Sequence, residues 1–514
     1  MREVATVLFL VVLATAVATF ARRWRIPAPS LLVLAGLAVA LIPGAPALRI
    51  PPQIIALVVL PPLLYAAAEE LSLRDLRTVW RPVTILAFGL VLASAAAVGY
   101  AAVAVTGLSP AMAFVLGSVL ASTDPVAVTA LGRRLALPGR VQVLVQAESL
   151  FNDATSLVLF KVAVGIAVAA GAVSWPAAGW EFVVLAGGGS LIGAAVAGVV
   201  ALIHRRTTDP VLETVIALVT PYTAFVLAEF AHTSGVTSVV VAGVLLGRSS
   251  HRFSDAQIRL QIQAVYAVVV FLLESVVFSL VGLALPTLVR DLPSGTGRWP
   301  LQALVLAAVL IGVRVLWMVP LSIVTKSTGG QSSWRMAAVV TWAGTRGVMP
   351  LAAALSIPLT TTSGELLPGR PLALVLTTAV VVFTLVVQGL SLARVVNRSG
   401  LALEPEHTAR EEVEARDILD RAALAFVDRL ADLETQPEPV IDRVRRGLGA
   451  RLDHTTDSPD GSTLDAAYRE LRHEVIAVQN VELRRLYDEH QISETTRKSL
   501  QRDLDREDAA LGDR

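Results

Sequence analysis

The segment AESLFNDATSLVLF, residues 147–160, sets Glu148, Asn152 and Asp153 inside a run that is otherwise apolar enough to span a membrane. An ionisable group at that depth marks a functional site by default, because hydrocarbon stabilises no charge. The preceding apolar run carries a second acid: ASTDPVAV, residues 121–128, puts Thr123, Asp124 and Pro125 in its middle. Pro125 removes a backbone donor and its ring clashes with the preceding turn, so this helix is expected to break or unwind there. The freed carbonyls, the Thr123 hydroxyl and the Asp124 carboxylate then make oxygen-rich surroundings of the kind a hard cation prefers. A simple proline kink capped by Thr123 and Asp124 is the plainer reading of the same residues.

On the next span Ser149 and Asp153 are four residues apart and share a helical face, while Glu148 and Asn152 share the adjacent stripe. Ser149 and Asp153 are therefore able to contact one ion together. Glu148 lies about a turn away and needs a partner of its own, since an unpaired buried charge is costly. Three basic residues fall inside expected spans: Lys161, Arg314 and Arg346. Arg346, in GTRGVMPLAAAL, is the expected partner of Glu148, with Gly344 and Gly347 leaving room beside it. Such a pair keeps Glu148 ionised and out of any proton chemistry. Arg314 has Glu274 and Glu213 as candidate partners, and Lys161 is expected to neutralise an acid in the outer half.

These residues must be positioned by a membrane bundle. The chain has 514 residues, 54% hydrophobic and 17% charged, which excludes an ordinary soluble domain. Residues 1–400 carry 26 Lys/Arg against 15 Asp/Glu, and residues 401–514 carry 17 against 27. The expected division is a membrane domain over 1–399 and an acidic cytoplasmic helical tail over 400–514. The sequence lacks cysteine, which excludes disulfides, thiolate metal sites and cysteine nucleophiles. Cutting the first part at charges, Pro and Gly gives about thirteen candidate spans of the length a bilayer requires, so the expected fold is all-α and polytopic.

Arg22, Arg23 and Arg25 follow the first apolar run and outnumber Arg2 before it, which favours a retained first span with its N-terminus outside over a signal peptide. Alternate loops hold most of the remaining basic residues, among them Arg74, Arg77, Arg133, Arg134, Arg205, Arg206 and Arg248, and these loops are expected to be cytoplasmic, with the C-terminus inside. In the tail, residues 417–434 place Leu419, Ala422, Phe426 and Leu430 on one face of an expected amphipathic helix, and another helix is expected over 464–490. No Gly-rich phosphate loop follows a strand, and neither a cofactor nor a nucleic-acid partner is expected.

Together ASTDPVAV, ESLFND and GTRGVMPLAAAL resemble the motifs of the first class of monovalent cation:proton antiporters, in its bacterial sodium/proton exchanger branch. PPLLYAAAEELSLRDLRTVWRP, residues 61–82, is similar to the end of that family's third span and the following loop, although Ala66 stands where some relatives carry a carboxylate. The resemblance implies thirteen helices, two of them broken and crossing at the ion site, in a homodimer in the plasma membrane. It carries ion binding onto Asp153, with Asp124, Thr123, Ser149 and Asn152 around it, and a stabilising ion pair onto Glu148 and Arg346. The Asn152-Asp153 pair resembles the electroneutral branch, in contrast to relatives with two adjacent acids.

The implied activity is exchange of Na⁺ or Li⁺ for H⁺, with cation and proton competing for Asp153. Potassium in place of sodium stays open at this point, since selectivity depends on ligand distances. A cation channel is a further alternative, but channels line a continuous pore rather than gather acids beside a broken helix. Two buried aspartates could also form the acid/base dyad of an intramembrane enzyme. No Gly-Asp protease motif and no His-Glu-x-x-His zinc motif accompanies them, and none of the seven His is near either in sequence.

Overall fold

The computed structural model describes residues 2–24, 27–42, 55–71, 73–124, 139–169, 175–207, 209–253, 256–293, 295–324 and 333–400, together with 421–429 and scattered positions beyond. The chain divides into two units, Met1–Leu403 and Glu404–Arg514. In the first unit the described helices run α1 Arg2–Trp24, α2 Ala28–Ala40, α3 Leu60–Glu69, α4 Leu73–Thr84, α5 Val91–Thr106, α6 Pro110–Ala121, α7 Gly139–Ala169 and α8 Trp175–His204. They continue with α9 Pro210–Phe230, α10 Gly235–Phe253, α11 Ala256–Arg290, α12 Trp299–Val324, α13 Ser333–Trp342, α14 Val348–Leu355 and α15 Arg370–Ser399. A π-helical segment, Ile85–Leu90, joins α4 to α5. Among the described residues there is no strand, only an isolated bridge between Thr360 and Leu366, so the all-α expectation holds.

Seven of the described helical stretches are long and apolar enough to cross a membrane, and five more apolar ones are shorter, among them Pro110–Ala121 and Gly235–Arg248. Residues 336–356, one of the candidate spans cut from the sequence, are not one helix: α13 and α14 flank a non-helical stretch from Ala343 to Gly347. Large apolar side chains such as Tyr100, Trp180, Leu191 and Phe230 are exposed on the helices, an arrangement that suits a hydrocarbon solvent and not water.

Local sequence sets several helix ends. Ser109 accepts from the Met112 N–H at 3.3 Å and Pro110 opens α6, while Asp209 accepts from Val211 and Leu212 at 2.8 and 3.1 Å and Pro210 opens α9. Gly107 and Gly400, both left-handed, close α5 and α15.

Small residues let these helices approach closely. Gly36 of α2 lies against the Ser279 carbonyl of α11, and Gly282 of α11 lies against the Val33 carbonyl of α2, so a side chain at either would strike backbone. In the Gly-rich stretch of α8, Gly188, Gly189 and Gly193 meet Thr233, Ser234 and Ser238 at the start of α10. The α5–α6 contact is similar, with Gly117 against the Ala95 carbonyl.

The second unit is described mainly over 421–429, which is helical. There Phe426 is exposed and Val427 is buried, so the face expected to be apolar is not the one covered. Leu419 and Leu430, most of 464–490, and Pro125 in the first unit lie outside the described residues.

Candidate cation site

α6 stops at Ala121, and Ser122, Thr123 and Asp124 continue without helical structure, as the ASTDP sequence led us to expect. The second interruption, Ala343–Gly347, meets this one. The Asp124 N–H donates to the Thr345 carbonyl at 2.8 Å, and the Thr345 hydroxyl donates to the Asp124 carbonyl at 2.9 Å. Each interruption thus satisfies backbone groups that the other has freed, which is what irregular backbone needs at membrane depth.

Both carboxylates of the site are fixed by these interruptions. Asp124 Oδ2 accepts from the Val348 N–H at 3.3 Å, at the first turn of α14, where the helix dipole favours negative charge. Gly347 makes this possible, since a Cβ there would fall on the Asp124 carboxylate. Asp153, projecting from α7, accepts a hydrogen bond from Ser122 Oγ. Asn152 Nδ2 donates to Thr123 Oγ1 at 3.1 Å and Ser149 Oγ donates to the Thr123 carbonyl. Thr123, Asp124, Ser149, Asn152 and Asp153 are all buried and come together as expected. Within the cluster, Asn152 Oδ1 is buried without a hydrogen-bond partner, an acceptor with spare capacity.

The basic groups are arranged differently from the expectation. Glu148 pairs with Arg314, not Arg346: Arg314 Nη2 donates to Glu148 Oε2 at 2.9 Å, and Nη1 faces Oε1 at 2.7 Å as an ionic contact without hydrogen-bond geometry. Arg314 also donates to the Val340 carbonyl from Nε and Nη2, at 3.2 and 3.0 Å. The reason is steric as well as electrostatic. Gly344 leaves the space that the Arg314 guanidinium fills on its way from α12 to Glu148.

Arg346 instead donates from Nη1 to the carbonyls of Ala121 and Ser122, at 3.2 and 2.7 Å, which caps the broken end of α6. Its own N–H donates to Thr384 Oγ1 at 3.2 Å. The guanidinium remains within electrostatic reach of Asp153 and Glu148. The other expected partners of Arg314 are accounted for separately, since Glu213 pairs with His204 and Glu274 forms no such pair among the described residues. Lys161 binds Glu229 at 2.6 Å, in keeping with the expectation that it neutralises an acid.

Sequence reasoning missed Ser122, Thr345 and Thr384. Ser122 adjoins Thr123 and Thr345 adjoins Arg346 within motifs already singled out, so their hydroxyls were the readable signals; Thr384 belongs to no such motif and meets Arg346 only across the fold.

The model of the transmembrane sodium/hydrogen exchanger domain matches residues 8–398. An uncharacterised Na⁺/H⁺ exchanger of Mycobacterium tuberculosis is 33% identical over 507 residues, covering 96% of this chain and 93% of that protein. The Na⁺/H⁺ antiporter ApNhaP of Aphanothece halophytica is 31% identical over 401 residues, 77% of this chain and 74% of that protein. Among solved structures, the sodium proton antiporter MjNhaP1 of Methanocaldococcus jannaschii superimposes with a TM-score of 0.62 at 20% identity, over 76% of this chain and 99% of the other, a likeness of fold. With two interrupted helices meeting at buried carboxylates, and a family match over nearly the whole membrane unit, the chain belongs to the sodium/hydrogen exchanger family, whose members are transporters and not enzymes.

Proposed function

We propose that this protein exchanges Na⁺, or Li⁺ in its place, for H⁺ across the plasma membrane, one for one, through competition of cation and proton for Asp153. Asp124, Thr123, Ser149 and Asn152 complete the cation's surroundings. The observation that carries this reading is the convergence of Asp153 and Asp124 at two interrupted helices, beside the buried and unpartnered Asn152 Oδ1. Asp124 and Asp153 are buried there, while Arg314 is taken up by Glu148 and Arg346 donates to the carbonyls of Ala121 and Ser122.

Asp153 neutralised once, by Na⁺ or by H⁺, can cross the low-dielectric barrier. The empty anion is held back by the cost of moving an unpaired charge, on the order of several kcal/mol. Obligatory exchange follows from that asymmetry. The relatives named as Na⁺/H⁺ antiporters and exchangers support sodium as the cation. The working unit is a homodimer, with the N-terminus outside and the acidic tail in the cytoplasm, as the distribution of basic loops supports.

The test is reconstitution in vesicles with a lumenal pH dye, adding Na⁺, Li⁺ or K⁺ in turn, with membrane voltage clamped by an ionophore. Sodium-driven proton flux that Asp153→Asn abolishes and voltage leaves unchanged is the expected result. Flux surviving the mutation overturns the site, voltage-dependent flux overturns the stoichiometry, and flux driven by K⁺ but not Na⁺ overturns the cation.

A further inference from the structure

The helical run from α4 into α5 presents an outward face whose chemistry changes along its length. Arg77, Arg81, Thr84, Phe88 and Leu92 follow one another at steps of three or four residues and are all exposed, so they form one stripe. On the opposite side Val79, Val83, Leu86 and Leu90 are buried. Trp80 is 55% exposed and Tyr100 is 81% exposed, and they stand twenty residues apart along this run. At 1.5 Å per residue a helix rises about 30 Å over that distance, the thickness of the hydrocarbon core of a bilayer. Between them Ile85, Phe88 and Leu92 offer apolar surface, and the Thr84 hydroxyl is satisfied by the Trp80 carbonyl at 2.9 Å. Exposed aromatic residues collect at the two interfaces of a membrane, which puts Trp80 at the level of the lipid headgroups.

Arg77 and Arg81 share that level, at the end of the run expected to be cytoplasmic. They are one helical turn apart, and the Arg81 guanidinium carbon lies 5.6 Å from the centroid of the Trp80 ring. Among the described residues neither arginine forms a hydrogen bond or an ion pair. Two guanidinium groups on one face are able to hold a phosphate between them. From Arg81 to Leu92 the helix rises about 16 Å, roughly the hydrocarbon depth of one leaflet. The stripe is therefore cationic at headgroup level and apolar for the length of one acyl chain. A soluble anion matches only its first part and a neutral lipid only its second, whereas an anionic phospholipid matches both.

The same helix bears on the cation site. α4 packs on α7, which carries Asp153, and the π-helical segment Ile85–Leu90 packs on α7 and on α12, where Gly89 admits the Trp317 ring. A headgroup held at Arg77 and Arg81 fixes the depth of a helix that lies against the helix of the site.

We propose that Arg77 and Arg81, with Trp80 beside them, form a docking site for an anionic phospholipid of the cytoplasmic leaflet, and that its occupancy supports the exchange rate by anchoring α4 against α7. The effect on rate rests on the antiport reading above, while the lipid site does not, and the experiment separates the two.

The thermal midpoint of the purified full-length protein in detergent is followed as phosphatidylglycerol, phosphatidylcholine or inorganic phosphate is added, a binding readout that needs no turnover. Na⁺-driven H⁺ flux is measured in parallel in phosphatidylcholine vesicles with increasing phosphatidylglycerol. The wild type is expected to be stabilised by phosphatidylglycerol alone and to run faster as its share rises. In Arg77→Gln combined with Arg81→Gln the phosphatidylglycerol concentration for half of the stabilisation is expected to rise roughly thirtyfold, the loss of two arginines from an anionic surface, and flux is expected to lose its dependence on that lipid. Arg77→Lys combined with Arg81→Lys keeps the charge and should retain most of the response. Arg206→Gln combined with Arg248→Gln, which removes two exposed basic residues elsewhere on the side expected to be cytoplasmic, should behave as wild type. An equal loss in that control overturns the site in favour of general surface charge, and an equal shift with inorganic phosphate overturns the lipid as the occupant. A lower midpoint of the double Gln variant in lipid-free detergent, with an unchanged response to phosphatidylglycerol, overturns it in favour of the acidic tail of the chain as the occupant. If the double Gln variant fails to fold, Arg81→Gln decides: a weaker response to phosphatidylglycerol supports the site, and an unchanged one overturns it. Asp153→Asn should lose flux and keep the full lipid response, so flux surviving there overturns the antiport reading and not the lipid site.

Discussion

Gly347 approaches Asp124 so closely that a methyl group on the glycine would coincide with the carboxylate. The interruption between α13 and α14 is therefore shaped around this acid. The same stretch accommodates Arg314 at Gly344, so two glycines three residues apart admit a negative group from the stretch after α6 and a positive one from α12. Gly347→Ala is expected to displace Asp124 and to abolish Na⁺-driven proton flux. Overpacking of this kind costs about 1–3 kcal/mol, so the protein should still fold. A variant with a wild-type thermal midpoint and wild-type flux would show that the carboxylate has room to move aside.

The exchange of partners at Glu148 gives a second prediction. Removing one member of a buried ion pair leaves the other charged and unpaired, at a cost of about 3–5 kcal/mol, whereas replacing both by apolar groups is often neutral. Arg314→Met is therefore expected to be strongly destabilising, and Glu148→Leu combined with Arg314→Met is expected to regain most of the lost stability. Arg346→Met leaves the pair intact and should not be rescued by Glu148→Leu. Thermal midpoints of the purified variants check this. Rescue of Arg346→Met and not of Arg314→Met would return Glu148 to the partner that the motif order implied.

Much of the site was legible because its signals are local. An acid inside an apolar run, a proline after Asp124 and the four-residue step from Ser149 to Asp153 can each be read without knowing what lies across the bundle. The interruption at Asp124 and the burial of the five site residues follow from them. The choice between Arg314 and Arg346 was not legible, since it turns on the Arg314 guanidinium filling the space at Gly344, and no spacing in sequence encodes that. The same holds for Asp124 and Thr345, whose backbone groups pair across more than two hundred residues. The short helices α13 and α14 show a related limit: hydropathy reads 336–356 as one span because its apolar content ignores the Gly-Thr-Arg-Gly interruption.

Ser122 carries a third prediction, about the competition itself. Its hydroxyl donates to Asp153 Oδ1, and a hydrogen bond to a charged acceptor contributes about 1.5–3 kcal/mol. The bond favours the ionised carboxylate over the protonated one. In Ser122→Ala the proton therefore competes better against the cation, so the Na⁺ concentration for half-maximal flux should rise several-fold at fixed pH and return toward wild type as the pH is raised. Ser149→Ala, whose hydroxyl donates to the Thr123 carbonyl and not to Asp153, should show a smaller effect of this kind. Equal behaviour of the two variants would mean that Ser122 acts through packing.

Asn152 adjoins Asp153 and tests the one-for-one stoichiometry from the other side. Its Nδ2 donates to Thr123 Oγ1 at 3.1 Å and its Oδ1 is buried without a partner. In Asn152→Asp the hydrogen bond can persist with its direction reversed, because the Thr123 hydroxyl is able to donate. The substitution then adds a second titrating carboxylate beside the first, and the two titrate as a coupled pair. One Na⁺ neutralises half of that pair, whereas two protons neutralise all of it, so the cation-loaded and proton-loaded states no longer carry the same charge. Exchange in Asn152→Asp is therefore expected to respond to membrane voltage, with flux in clamped vesicles changing as the ionophore gradient is varied, while wild-type flux does not. If both proteins are insensitive to voltage, the added acid stays protonated throughout the cycle, and the charge at Asn152 does not set the stoichiometry.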